Sequence, residues 1–136
     1  MLDAELRRRV EEAPVARLAT VDAEGRPRVV PCCFALVGHV AYSAVDHKPK
    51  RTSRLARLTD IETNPSVSLV VDHYEDDWSA LWWVRLDGTA RVVEEGPDWQ
   101  RGVDVLVAKY PQYRERPPTG PVIVVAVERL VGWSAT

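Results

Sequence analysis

The stretch VARLATVDAEGRPRVVPCCFALVGHVAYSAV, residues 15–45, decides the fold, because it reads as three consecutive antiparallel strands. Residues 15–21 are strand-like. Asp22-Ala23-Glu24-Gly25-Arg26-Pro27 is turn chemistry leading into a second strand over 28–36. Gly38 marks the next turn, and residues 39–45 supply a third strand. Upstream, Leu2, Leu6 and Val10 recur at helical spacing among charges and Pro14 ends the pattern, which predicts a short helix over 2–12 placed to cap one end of a barrel.

Downstream, Pro49 suits a first helical position and Leu55, Leu58 and Ile61 fall on one stripe, which predicts a helix over 49–62 stopped by Asn64-Pro65. A fourth strand follows at 67–74, and after the acidic loop Glu75-Asp76-Asp77 a long strand over 81–93, interrupted by Asp87-Gly88. Along it Trp82, Val84 and Leu86 alternate with Trp83, Arg85 and Asp87, so one face is core and the other functional or interfacial. Gly96-Pro97 opens a second helix with Val103, Leu106 and Val107 as its apolar face, ending near Tyr110-Pro111. Residues 114–120 read as a surface loop, and 121–133, with Val122-Ile123-Val124-Val125, as the closing strand. The expectation is a mainly β single domain over residues 1–136, a six-stranded antiparallel closed or split β-barrel with helices, which removes vulnerable sheet edges.

Composition narrows the function classes. A hydrophobic fraction of 46% and a charged fraction of 28% fit a folded soluble domain. The formal net charge of -2 supplies no global field toward nucleic acid or an anionic membrane, so any anion recognition is local. No apolar run approaches the roughly 20 residues of a spanning helix, and residues 1–12, charged and amphipathic, lack the apolar core expected of a signal peptide. Cys32 and Cys33 are the only cysteines, and adjacency in a strand sends them to opposite faces. With no disulfide framework, a cytoplasmic location is expected.

The segment DHKPKRTSRLAR, residues 46–57, gathers Lys48, Lys50, Arg51, Arg54 and Arg57. Lys48, Lys50 and Arg51 stand at or before a helix start, where the macrodipole disfavours cations by about 0.3–1 kcal/mol each. A bound anion would offset that cost, receiving backbone N–H groups, the basic side chains, and hydroxyls from Thr52 and Ser53. The competing reading is a solvated basic helix face, paired with the acidic loop at 75–77. Nucleic acid would need a basic overall balance and interleaved aromatics, and both are missing.

Five tryptophans stand against one phenylalanine. Trp82 reads as core, while Trp78 and Trp83 are candidates for a cofactor or subunit surface, since indole stacks on heterocycles as readily as it fills cores. His39, His47 and His73 lack metal-site spacing, the cysteines lack a CxxC partner, and neither begins a helix as an activated nucleophile would. No GxGxxG or GxxxxGK[ST] occurs, so Rossmann and Walker phosphate sites are excluded.

The segments VARLATVDAEGRPRVVPCCFAL, AVDHKPKRTSRLARLTDIETNPSVSLVVDHYEDDW and LWWVRLDGTARVV resemble the pyridoxamine-phosphate-oxidase-like split-barrel superfamily, and within it the actinobacterial F420-dependent branch. The resemblance implies an FMN-binding-split-barrel fold and a homodimer with its cofactor at the interface. By position, Lys48, Lys50, Arg51 and Thr52 resemble the phosphate-binding residues, and Arg54 and Arg57 would meet the negative charge of a polyglutamate tail. Pro31, Cys32, Cys33 and Phe34 resemble the strand lying along the isoalloxazine-like ring, with Trp78 and Trp83 supplied by the partner subunit. The implied activity is hydride transfer between reduced coenzyme F420 and a small organic acceptor, with no catalytic side chain named. An FMN oxidoreductase of the same fold and a non-catalytic F420-binding or storage protein are the alternatives. The residues given show no arginine-rich segment after the last strand, which weakens the expectation of vitamin B6 oxidation.

Overall fold

The computed structural model describes residues 2–45 and 55–136. Its elements in chain order are α1 (Ala4–Glu12), β1 (Ala16–Val21), β2 (Pro27–Cys32), β3 (Ala35–Val37), β4 (Val40–Ala44), α2 (Ala56–Thr63), β5 (Ser66–His73), a 3-10 turn (Trp78–Ala80), β6 (Trp82–Val93), α3 (Pro97–Lys109), α4 (Pro111–Glu115) and β7 (Val122–Ser134). The strands form one antiparallel sheet of seven in the order β2-β1-β5-β6-β7-β4-β3. The mainly β, split-barrel class holds, but the strand count rises from six to seven. The reason is a break at Cys33-Phe34, which divides the expected 28–36 strand into β2 on one sheet edge and β3 on the other.

Three further expectations are corrected. The helix expected over 49–62 is α2, which starts only at Ala56 with the extended Leu55 as its N-cap, so its start lies several residues past Lys48, Lys50 and Arg51 and the helix-start placement expected for those cations does not hold. Asp87-Gly88 does not interrupt the long strand: β6 runs through it, and β7 absorbs the irregularity, since Asp87 pairs with Arg129 while Gly88 pairs with Val127. Glu128 is therefore the extra residue of a β-bulge. Gly88 serves close approach, because a Cβ there would lie 2.2 Å from the Ala126 carbonyl oxygen. The expected 114–120 loop begins later, because Pro111 starts the short helix α4.

The sheet separates two apolar clusters. Leu18, Leu69, Val84, Leu86, Ile123 and Val125 fill the inner one, closed by Leu6 and Val10 of α1 and by Leu58 and Ile61 of α2. Tyr42, Val122 and Val124 join Val103, Leu106, Tyr110 and Tyr113 in the second. The run Val122-Ile123-Val124-Val125 is apolar throughout because β7 is covered on both faces here. Fully burying Leu106 or Val122 contributes roughly 1.5–3 kcal/mol each. Cys32 packs against the inner cluster and Cys33 against the second, as strand alternation predicts.

Buried charge fixes α2 on the first hairpin. Asp60 is 3% exposed, and its Oδ2 accepts from Thr20 Oγ1 at 2.9 Å and from Arg28 Nε at 2.8 Å. Asp22 accepts the Glu24 and Arg26 backbone N–H groups at the turn. Those bonds, the Arg26 backbone N–H first, hold its carboxyl below the usual carboxylate range.

Candidate functional site

The break between β2 and β3 is held from the end of α3. The Tyr110 hydroxyl accepts the Phe34 backbone N–H at 2.9 Å and lies 2.8 Å from the Pro14 carbonyl and 3.0 Å from the Phe34 carbonyl, to either of which it donates. Lys109 Nζ donates to the Phe34 carbonyl at 2.8 Å and sits 3.9 Å from the centre of the Phe34 ring. Without these partners the peptide of a fully buried Phe34, belonging to neither strand, would lack hydrogen bonds. Burial pushes the Tyr110 hydroxyl up to about 12. Burial also pulls the Lys109 ammonium down to about 8, against the opposing charges of Cys33 and Glu11.

Beside this clamp lies an open cavity of about 580 Å³, lined by Glu12, Pro14, Val15, Cys33, Lys109 and Tyr113 among others. Sequence reasoning missed Lys109, Tyr110 and Tyr113. The available signal was the helix-ending KYPQY, residues 109–113, read only as a stop signal.

The cross-strand register defines a second region on the outer face of the sheet. Pro31, Arg17, Val70, Arg85 and Val131 form one row, and Asp72, Trp83 and Trp133 another. Arg17 and Asp72 are ion-paired at 2.6 Å, as are Arg85 and Asp87 at 2.9 Å. Trp133 is 45% and Val29 64% exposed. Among the described residues, the apolar residues of α1 and α2 join the inner cluster, and those of α3 and α4 join the second cluster at the Val122-Val124 end of the sheet.

The structure places the expected residues unequally. Trp82 is core, and Trp83 is half-buried on the outer face. Trp78 is 76% exposed on the 3-10 turn, whose cap is Asp77, accepting the Ser79 N–H. Pro31 is exposed, Cys32 and Cys33 are half-buried, and Phe34 is fully buried with both backbone groups engaged. Lys48, Lys50, Arg51, Thr52 and Arg54 lie outside the described residues, as do Pro49 and Ser53. Arg57 lies in the first turn of α2 with its Nε buried and without a hydrogen-bond partner. Among the described residues, Ser43 Oγ in β4 is the other buried polar atom in that state, and sequence reasoning missed it too. Its signal was a lone hydroxyl within AYSAV, residues 41–45.

Among the described residues no His, Cys, Asp and Glu cluster could hold a metal ion, and no helix is long and apolar enough to cross a membrane. The family profile described as pyridoxamine 5'-phosphate oxidase matches residues 2–134, nearly the whole chain. The chain belongs to that family. Among its solved structural relatives, the conserved hypothetical protein Rv2991 from Mycobacterium tuberculosis is 19% identical with a TM-score of 0.77, covering 99% of this chain and 86% of its own. HutZ, the heme storage protein from Vibrio cholerae, is 21% identical with a TM-score of 0.76, covering 96% of this chain and 93% of its own. A FAD-binding protein from Mesorhizobium loti is 22% identical with a TM-score of 0.69, covering 96% and 92%. At these identities the likeness is one of fold. No curated protein matches the chain in sequence. Within the pyridoxamine 5'-phosphate oxidase family, then, this chain combines the shared barrel with a clamped Cys33-Phe34 break and an outer sheet face that carries the exposed Val29 and Trp133.

Proposed function

We propose that the protein is an F420-dependent oxidoreductase, passing a hydride between reduced coenzyme F420 and a small organic acceptor as a cytoplasmic homodimer. The observation that carries the reading is the pair of orphaned buried polar atoms, Ser43 Oγ and Arg57 Nε, which bracket the basic stretch 46–54 in the chain. A buried donor without an acceptor costs about 1–3 kcal/mol, and an anionic ligand removes that cost. These atoms fit a phosphate-bearing group whose other contacts are Lys48, Lys50, Arg51 and Thr52. Arg54 and Arg57 would meet its acidic tail.

The ring would lie along Pro31, Cys32, Cys33 and Phe34, a segment already immobilised by Tyr110 and Lys109. Trp78 and Trp83 would approach from the partner subunit, an arrangement favoured by the exposed Val29 and Trp133 on the outer face that also carries Trp83. The deazaflavin, when bound, supplies the hydride chemistry. The chain binds and orients.

A fluorescence titration with F420 and FMN side by side tests this reading. F420 should bind more tightly, with affinity falling as salt rises. Lys50→Ala with Arg51→Ala should weaken F420 about 10- to 100-fold, the value of one or two charge-assisted hydrogen bonds, with the thermal melt unchanged. Equal or tighter FMN binding makes the protein a flavin enzyme of the same fold. An unchanged F420 affinity in the double variant removes the phosphate from that segment.

A further inference from the structure

We propose that the cavity between the end of α1 and the α3–α4 corner is a binding site for a small organic carboxylate, its flat apolar body against Pro14, Val15 and Tyr113 and its carboxylate on Lys109.

The argument begins with the unmatched charge of Lys109. A half-buried ammonium ordinarily finds a carboxylate, yet Nζ donates to a neutral carbonyl, that of Phe34, and lies over the Phe34 ring. The nearby acids are engaged elsewhere: Glu12 accepts two bonds from Arg8, and Glu11 pairs with Arg7. The lysine is therefore a desolvated cation, consistent with an ammonium pulled down to about 8. An anion entering the cavity gains a charge-assisted bond in a region of low dielectric, and little water must leave the lysine first.

The remaining surface selects the body of the ligand. Pro14, Val15 and Pro111 are apolar, Tyr113 is an aromatic wall set edge-on to Tyr110 at 5.6 Å, and Gln112 adds one neutral amide. The Tyr110 hydroxyl is already committed to the Phe34 N–H and a carbonyl, so the chemistry recognised is one anionic group on an apolar frame. The groups facing Lys109 that titrate or carry charge are Glu11 and Glu12 from α1, Cys33 from the β2–β3 link, and the two tyrosines of the α3–α4 corner.

The site goes beyond the cofactor reading, sharing only Cys33 with the strand laid along the ring, and it is tested without cofactor, so failure of one leaves the other standing. The probe is 2-naphthoate, with 2-naphthamide as its neutral counterpart, each titrated into the whole protein by fluorescence at about pH 6.5 and about pH 9.5, either side of the Lys109 transition. Naphthoate should bind about tenfold or more tightly than the amide at the lower pH, the value of one charge-assisted bond, and lose that preference at the higher. Lys109→Met should abolish the preference and Lys109→Arg retain it. Cys33→Ser should keep the same pH profile, which assigns the transition to the lysine rather than the thiol. Absence of naphthoate binding, equal binding of the two probes, or a preference that survives in Lys109→Met overturns the proposal. If Lys109→Met does not fold, the pH profile and Lys109→Arg decide.

Discussion

Replacing Tyr110 by Phe isolates one hydroxyl that holds three distant parts of the chain together. The ring itself should stay, since Tyr110 is 8% exposed and packs edge-on against Tyr113, so the change removes an oxygen and leaves no large cavity. That oxygen accepts from the Phe34 N–H and donates to a carbonyl of Pro14 or Phe34. Lys109 still serves the Phe34 carbonyl, but nothing else among the described residues accepts the Phe34 N–H, which stays buried without a partner. An orphaned buried donor costs about 1–3 kcal/mol and the lost donated bond about 0.5–1.5 kcal/mol, so the expected loss is roughly 1.5–4.5 kcal/mol. For a chain of this size that is a fall in Tm of roughly 5–18 °C.

Urea unfolding followed by tryptophan fluorescence should show a lower midpoint with an unchanged slope. The pH dependence supplies an independent check. The Tyr110 hydroxyl is raised to about 12 in the folded chain against an ordinary value near 10, so its contribution is fully present below pH 10 and lost as pH climbs toward 12. The gap between wild type and Tyr110→Phe should close over that window. A loss below about 0.5 kcal/mol at neutral pH, too small for an orphaned buried donor, would refute the clamp.

Two further outcomes follow from the sheet. Gly88→Ala drives a Cβ to 2.2 Å from the Ala126 carbonyl oxygen, and since backbone cannot swing aside, a loss of roughly 2–4 kcal/mol is expected in the same urea assay; near-neutral stability would mean the β6–β7 pair separates readily. On the proposed homodimer, Trp133→Glu places a charge in the row with Trp83 and Asp72 on the outer face and should yield a monomer in analytical ultracentrifugation where the wild type sediments as a dimer, with the melt little changed; a dimer that persists in the variant would move the interface elsewhere.

Much of the architecture is legible in residue order because it rests on local periodicity. Alternation along β6 separates core Trp82, Val84 and Leu86 from outward Trp83, Arg85 and Asp87, and the spacing of Leu6 and Val10 marks the buried stripe of α1. The adjacency of Cys32 and Cys33 foretells their separation onto opposite clusters. The strand count is not legible, because Cys33-Phe34 carries no glycine or proline to mark the break. What divides β2 from β3 is a hydroxyl and an ammonium arriving from Tyr110 and Lys109, far along the chain. Gly88 misleads for a related reason: its role is set by the approach of Ala126, which local sequence does not register.

The sequence by itself determined the antiparallel strands, the two-faced long strand and the basic character of residues 46–57, properties carried by side-chain type and spacing within a few residues. Tertiary structure alone decided which polar groups end without a partner. Ser43 and Arg57 become orphaned, and Lys109 becomes a cation facing a carbonyl and an aromatic ring, only when the sheet, α2 and α3 close around them. Desolvation is a property of the packed surroundings, so the chemistry of the site follows from burial that no stretch of sequence specifies alone.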